Sequence, residues 1–413
     1  MALIMRKLSL LAFLLFGALA AATSASRILP GGTSSMVKRH KEWMAQYGKV
    51  YRNATEKEQR FEIFKSNMEH IESFNARKHE YWLGPNQFTD LTNEEFNAIY
   101  LSGYKRSTSS RATPRNFWYE NVSVAATNLD WRSKGAVTPI KDQGQCGACW
   151  AFSSVAATEG INQIKNGKLI SLSEQELIDC DVNGQNQGCN GGLMDDAFKF
   201  IIDNGGINTE INYPYKAADG SCNSNKESNS AVKISGFEDV PSNSEASLLK
   251  AVSIQPVSVA LDGGDPNFQH YAGGIFTGPC DTELDHAVTA IGYGINTDGT
   301  KYWLLKNSWG TSWGDHGYIK MQRDIDAVEG LSMALIMRKL SLLAFLLFGA
   351  LAAATSASRI LPGGTSSMVK RHEEWMAQYG KGYRNAAKKA QRFEIFKSNM
   401  EHIESFNARK REY

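Results

Sequence analysis

Residues 333–413 repeat residues 1–81 letter for letter except at six positions: Lys41/Glu373, Val50/Gly382, Thr55/Ala387, Glu56/Lys388, Glu58/Ala390 and His79/Arg411. A repeated block of this size leaves a unique centre, and any fold must accommodate that division. Stacked-repeat architectures need three or more short units and are excluded. Each copy opens with a methionine and a basic pair before an apolar run: Arg6-Lys7 before Leu8–Ala22, and Arg338-Lys339 before Leu340–Ala354. Residues 1–25, with small residues up to Ala25, have the pattern of a secretory signal. Residues 333–357 form a second signal-like segment. Its apolar run is shorter than the roughly 20 residues of a membrane helix. Its basic pair would also lie on the lumenal side, against the usual charge bias, so no stable membrane span is expected. The expectation at the 332/333 junction is a second precursor starting inside the first, through a fused gene model or a tandem duplication read through.

The centre contains Gln143-Gly144-Gln145-Cys146-Gly147-Ala148-Cys149-Trp150. The glycines break the chain, and the spacing predicts a helix starting at Cys149 and stopping at Asn166-Gly167. A thiol at a helix N-terminus ionises more readily, and the thiolate is the nucleophilic form. A buried or disulfide-bonded cysteine is the competing reading, and it suits Cys146 better than Cys149. Gln143 offers an amide donor for an oxyanion. Residues 124–332 hold three histidines. His270 and His316 have loop surroundings, whereas His286 opens an apolar strand and is the candidate base. Asn307 follows the strand-like Tyr302–Lys306 and is flanked by Trp309 and Trp313. Its amide would orient the imidazole while the indoles keep water away.

Charge is distributed unevenly. Residues 124–332 carry 14 Lys/Arg against 26 Asp/Glu, whereas the flanks carry 31 against 17. An acidic block beside a basic one would attract it, and acidification would weaken that attraction. The same counts also describe two differently solvated surfaces. No basic stripe with interleaved aromatics points to nucleic acid. All six cysteines lie between residues 146 and 280, and a secretory route permits disulfides. Asn53 and Asn121 begin N-x-S/T triplets and are glycosylation candidates.

Upstream of the thiol, Met36, His40, Trp43, Met44 and Tyr47 fall at helical spacing, as do Phe61, Phe64, Met68, Ile71 and Phe74 within 56–75. Glu56 and Arg60 are spaced as an i,i+4 pair. Gly84–Asp90 breaks this helical segment, and residues 102–127 are Ser/Thr/Arg-rich and linker-like.

Cys-Gly-Ala-Cys-Trp, with His286 and Asn307 lying 137 and 158 residues after Cys149, resembles the papain family of cysteine proteases. The resemblance spans residues 36–331. It includes the interspersed prosegment motif (Glu56, Arg60, Phe64, Asn67, Ile71, Asn75) and a second one (Gly84, Asn86, Phe88, Asp90). In the catalytic part it includes Gly188-Cys-Asn-Gly-Gly192 and Asn307-Ser-Trp-Gly310, and the set is most similar to plant senescence-type, cathepsin-L-like members. It implies an α+β fold: a helical half with Cys149 against a β-barrel-like half with His286 and Asn307, a cleft between them, and an α-helical prosegment ahead. The implied domains are an inhibitory prosegment, 26–123, with a helical core of about 36–95, then a peptidase domain, 124–332. A partial second prosegment would occupy 358–413.

The implied function is hydrolysis of peptide bonds by a secreted or vacuolar zymogen, through a Cys149 thiolate paired with a protonated His286. Gln143 and the Cys149 N–H would bind the oxyanion, Asn307 would orient His286, and Trp309 with Trp313 would shield it. The substrate pocket maps to Gly191, Gly192, Leu193, Met194, Ala260, Leu284, Asp285 and Ala287, which implies a hydrophobic P2 residue. Disulfides map as Cys146–Cys189 and Cys180–Cys222. Cys280 is left unpaired, because the family's closing segment after Leu331 is replaced by Ser332 and Met333. The peptidase domain is therefore expected to lack its final strand. No cofactor or metal is implied. Expected partners are peptide substrates, the chain's own prosegment running through the cleft against the substrate direction, and cystatin-type inhibitors. Release would follow acid-triggered self-cleavage near residues 122–127. The expected destination is the vacuole or lysosome, or the extracellular space. A catalytically impaired fusion product acting as a prosegment-type inhibitor is the alternative of a different class.

Overall fold

Two amphipathic helices, α1 (Thr33–Gln46) and α2 (Ala54–Asn75), pack through the residues that the spacing selects. His40 and Trp43 are buried against Phe64, with ring centroids 4.9 and 5.1 Å apart. Met68 and Ile71 extend the same stripe, whereas Phe61 and Phe74 are half-buried. Asn53 caps α2 by accepting the Glu56 N–H, which satisfies one orphan donor of the first turn. The expected Glu56–Arg60 pair does not form. Glu56 turns back onto Arg52, and Arg60 reaches Glu95 at 2.6 Å and the Asp90 carbonyl at 3.0 Å. Glu95 is already fixed by a capping box with Thr92, so this partner needs less ordering than a mobile side chain would.

The structure, a computed structural model, describes residues 33–101, 103–104, 117–182, 184–241, 244–279, 283–324, the backbone of 334–339, and positions 393 and 397. The expected leader, the signal-like run beyond residue 339, Cys280, the 332/333 junction itself and nearly all of 358–413 lie outside the described residues. Residues up to 343 form one unit and residues 344–413 another.

After α2 come β1 (Tyr81–Leu83), α3 (Asn93–Tyr100) and β2 (Leu129–Asp130). The helical half follows with α4 (Cys149–Asn166), α5 (Glu174–Cys180), α6 (Met194–Asp203) and the short α7 (Ser224–Glu227). The remaining elements are β3 (Gly236–Asp239), α8 (Glu245–Val252), β4 (Val257–Leu261), α9 (Pro266–Gln269), β5 (Tyr271–Phe276), β6 (His286–Ile295), β7 (Lys301–Lys306), β8 (Tyr318–Gln322) and β9 (Ala334–Lys339). The strands form one sheet in the order β1-β5-β8-β7-β6-β4-β9-β3, with β2 paired to β6. All pairs are antiparallel except β5 with β8.

Apolar side chains separate into two cores. One surrounds α4 and holds Trp150, Val155, Leu177, Met194, Phe198 and Ile201. The other is shared between prosegment and strands: Trp43, Phe64, Phe88 and Phe96 belong to the same cluster as Phe268, Trp303, Trp309 and Trp313. The prosegment is thus built into the β half.

One expectation about the sheet needs correcting. The final strand, expected to be absent from residues 124–332, is supplied from beyond that boundary. Strand β9 comes from the head of the repeated block and lies between β4 and β3. A buried strand such as β4 presents a full row of backbone donors and acceptors, and this short apolar segment can pair with them.

Candidate active site

Cys149 is the first residue of α4, which ends at Asn166 with Gly167 at φ 68°, the left-handed closing residue that the Asn-Gly signal predicts. From Cys149 to Asn162 every residue of the helix except Ala156 is buried. Ser153 Oγ donates to the Val288 carbonyl at 2.7 Å, and Ser258 Oγ donates to the Ser153 carbonyl at 2.9 Å. These bonds fix the helix against β6 and β4. Disulfides Cys146–Cys189 and Cys180–Cys222 brace the helical half. Cys149 is the free cysteine among the described residues, and it is buried.

His286, the first residue of β6, is fully buried. Its Nε2 lies 2.7 Å from Asn307 Oδ1. An amide oxygen can only accept, so Nε2 carries the proton, and Nδ1, which has no protein partner, is the basic atom. Trp309 stacks on the imidazole at 4.4 Å between centroids and 24° between planes. Trp313 does not reach the imidazole; it meets Trp309 edge-on at 5.0 Å and supports it from behind.

Gln143 is fully buried and held at several points. Its N–H donates to Ser308 O at 2.8 Å, its carbonyl accepts from Tyr215 OH at 2.7 Å, its Oε1 accepts from Ser308 Oγ at 2.7 Å, and its Nε2 donates to Cys146 O at 3.0 Å. One amide N–H remains available. Gly310 N donates to Lys141 O, so the loop carrying Gln143 is stitched to the loop carrying Asn307. Beneath it, Lys141 Nζ bonds Glu159 at 3.0 Å and Glu174 at 2.6 Å, both carboxylates buried. Ser308 and Lys141 escaped sequence reasoning because neither residue type has a local signal for such a role.

The prosegment lies directly over this group. Gly103 O accepts the Gly192 N–H at 3.0 Å, and Tyr104 bridges Gly192 in parallel sense. A Cβ on Gly103 would stand 2.7 Å from Gly147 O and 2.8 Å from Cys149 Sγ, so only glycine lets the backbone pass this close to the thiol. Residues 103–104, expected to be linker, are instead the cleft-crossing segment. Gly84–Asp90 docks beside it. Gln87 Nε2 donates to Trp309 O at 2.6 Å, Asn86 Nδ2 donates to Gln269 O at 2.8 Å, and the rings of Phe88 and Phe96 meet Trp309 edge-on.

This cover sets the charge state of the site. Burial pushes the Cys149 thiol up to about 12, against the backbone N–H of Ala287, which pulls it down. Burial also pushes His286 down to about 4, against the Asn307 bond. Desolvation disfavours both charged forms, so while the site is covered burial favours the neutral thiol and the neutral imidazole. Next to His286, burial raises Asp285 to about 7.

The residues that the resemblance assigns to a substrate pocket come from both halves. Leu193 caps α6 and Met194 begins it, Ala260 of β4 pairs with Ala287 of β6, and a Cβ on Gly192 would meet Asn186 and Trp150. Met194, Ala260 and Ala287 share one apolar cluster, with Leu284 and Tyr104 packed against it. His270, expected in a loop, caps α9 and is fully buried.

The family model "Papain family cysteine protease" matches residues 125–338, and "Cathepsin propeptide inhibitor domain (I29)" matches residues 40–96 and 372–413. The chain is 62% identical over 301 residues to the senescence-specific cysteine protease SAG39 of Oryza sativa subsp. japonica, covering 72% of this chain and 88% of that protein. Among solved structures, a recombinant stem bromelain precursor is 46% identical with a TM-score of 0.68, covering 74% of this chain and 99% of that one. The proform of Amb a 11, a ragweed pollen cysteine protease, is 38% identical with a TM-score of 0.70, covering 75% and 96%. With its papain-like fold and an inhibitory propeptide ahead of the peptidase domain, the chain belongs to the papain family of cysteine proteases.

Proposed function

We propose that the chain is the zymogen of a secretory-route cysteine endopeptidase in which Cys149 is the nucleophile and His286 the acid–base group. The observation that carries this reading is the 2.7 Å contact between His286 Nε2 and Asn307 Oδ1, which leaves Nδ1 as the proton acceptor. Once the prosegment leaves, water re-enters, and the proton passes from Cys149 Sγ to His286 Nδ1. The thiolate attacks the scissile carbonyl carbon, and the carbonyl oxygen takes up the charge. The Cys149 N–H and the free N–H of Gln143 Nε2 stabilise that oxygen. His286 returns its proton to the leaving amine, giving a thioester. Water, deprotonated by His286, then releases the acid and restores the thiol.

Leu193, Met194, Ala260, Leu284 and Ala287 would line the pocket for the second residue before the scissile bond. Their apolar character and the packing of Tyr104 against the same cluster favour a hydrophobic P2. The irregular segment 122–127, exposed at Ser123 and from Ala125 to Thr127, suits the processing cut. The two exposed acceptors Asn53 and Asn121 and the leader pattern favour passage through the secretory route to the vacuole or extracellular space, where cystatin-type inhibitors would be further partners. The two matches to the propeptide inhibitor domain favour reading the junction as a second precursor begun within the first.

The test is acid treatment followed by alkylation with iodoacetamide, peptide mapping, and hydrolysis of paired substrates with Leu or Arg at P2. The reading expects alkylation at Cys149 and faster cleavage of the Leu substrate. Inhibition of related proteases without alkylation at Cys149 would establish the inhibitor alternative instead.

A further inference from the structure

Tyr215 takes no part in the proton transfers, yet it touches both elements that carry the oxyanion donors. Its hydroxyl donates to the Gln143 carbonyl at 2.7 Å, and its ring meets Phe152 edge-on with centroids 4.9 Å apart. Phe152 lies one turn beyond Cys149 in α4. A single half-buried side chain thus spans from the helix that presents the Cys149 N–H to the loop that presents the Gln143 amide.

The two peptide groups that flank the Gln143 Cα are held from opposite sides. The N–H donates to Ser308 O in the β half, and the carbonyl accepts from Tyr215 in the helical half. The Cys146 N–H also points at that carbonyl, but at 3.4 Å it is beyond the usual range of such a bond. Gly144 follows in the left-handed region at φ 57°, where a glycine turns at little steric cost. Without the phenol, the peptide between Gln143 and Gly144 would keep only the long Cys146 contact. Oxyanion donors act at roughly 2.7–3.1 Å from the developing charge, so a small tilt of this peptide would carry the free amide N–H off its target.

Tyr215 is itself firmly placed. Its N–H donates to Glu210 Oε1 and the Lys216 N–H donates to Gln175 Oε1, each at 2.8 Å, and Gln175 is buried. Ala217 takes φ 55°, a left-handed conformation that a residue with a side chain seldom adopts. Its Cβ lies 3.3 Å from where a Cβ on Gly144 would stand, so this turn abuts the loop that it steadies. Burial raises the Tyr215 phenol, and the hydroxyl keeps its proton to donate.

We infer that Tyr215 is a positioning residue for oxyanion stabilisation, setting the Gln143 amide relative to the Cys149 N–H through its hydroxyl. The inference rests on the roles proposed above for Cys149 and Gln143.

The experiment uses the full chain after acid treatment, with Tyr215→Phe, Gln143→Ala and both together. Tyr215→Phe keeps the ring against Phe152 and removes the hydroxyl alone. Its kcat for a peptide amide substrate should fall about fivefold to tenfold, the worth of one ordinary hydrogen bond. KM, melting temperature and the rate of Cys149 alkylation by iodoacetamide should match the parent, because alkylation builds no oxyanion. In the Gln143→Ala background the same substitution should change kcat by less than about twofold, since the amide that it aims is gone. An unchanged kcat in Tyr215→Phe overturns the proposal, as does a parallel loss of alkylation, or the full loss persisting beside Gln143→Ala. Failure of the parent chain to be alkylated at Cys149 would instead overturn the proposed function, so the two failures are distinguishable.

Discussion

The Gly192 N–H donates to the Gly103 carbonyl at 3.0 Å, and this bond ties the prosegment to the wall of the cleft beside the thiol. It joins two glycines, each at a place where a side chain would collide. A Cβ on Gly192 would run into Asn186 Oδ1 and the Trp150 ring.

Gly103→Val should therefore push the prosegment away from the thiol while leaving every residue of the catalytic group unsubstituted. Its Cβ would enter the space of Gly147 O and Cys149 Sγ, an overpacking that typically costs about 1–3 kcal/mol. The uncovered fraction at neutral pH should rise about fivefold to a hundredfold. Rates of Cys149 alkylation in the intact zymogen would measure it, and an unchanged rate would falsify the assignment of Gly103 as the covering residue.

Two substitutions separate positioning from charge stabilisation in the processed enzyme. Asn307→Ala removes the buried acceptor of His286 Nε2. A hydrogen bond to a group that becomes charged is worth about 1.5–3 kcal/mol, so kcat/KM should fall about ten- to a hundredfold, with an altered pH profile. Gln143→Ala should lower kcat about 10²–10³-fold, while alkylation of Cys149 by iodoacetamide, which forms no oxyanion, changes little. Equal losses in both assays for Gln143→Ala would mean that it only holds the loop.

Acid should release the prosegment selectively, because a carboxylate of the prosegment and several of the peptidase part are shifted in opposite directions. The Arg60 hydrogen bond holds Glu95 below the usual carboxylate range. Its contribution is present above the ordinary pKa and is lost as pH falls through the lowered value. Burial instead raises Glu176, Asp181 and Asp285 to about 7. Their contribution is complete at low pH and fades as pH rises through about 7. Among the described residues, the ion pairs of the prosegment core are internal to it, as in Lys49–Asp90 and Arg60–Glu95. The trigger is therefore expected within the prosegment rather than in attraction between whole blocks. Glu95→Gln should move activation toward neutral pH, measured as the midpoint of alkylation against pH. An unmoved midpoint would point to other carboxylates.

Lys141→Met should destabilise the peptidase itself. Burial alone would push the Lys141 ammonium down, but the carboxylates of Glu174 and Glu159 more than reverse this. Removing the cation strands two buried carboxylates. Breaking a buried pair in this way typically costs about 3–5 kcal/mol, which should appear as a clear drop in melting temperature near neutral pH and a smaller one at acid pH.

What was readable in the sequence was local. Cys149 at a helix start, Gly167 at its end, His286 at a strand start and Asn307 after a strand each have a short-range signal that the fold preserves. Gly103 was unreadable because its role depends on meeting Gly147 and Cys149 across the cleft, while its neighbours in sequence have linker composition. Arg60 was assigned the wrong partner because i,i+4 spacing ignores Glu95, which arrives from another helix. The strand Ala334–Lys339 was hidden behind its resemblance to a leader, since a short apolar run serves either purpose.

Strand β1, the outermost strand next to β5, belongs to the prosegment. Cleavage of the proposed zymogen would thus do more than unblock a thiol: it would strip the rim from a sheet and bare the backbone of Tyr271–Phe276. The finished enzyme would carry an adhesive margin that its precursor never shows. Storage in the uncut form would then protect the cell from clumping as well as from digestion.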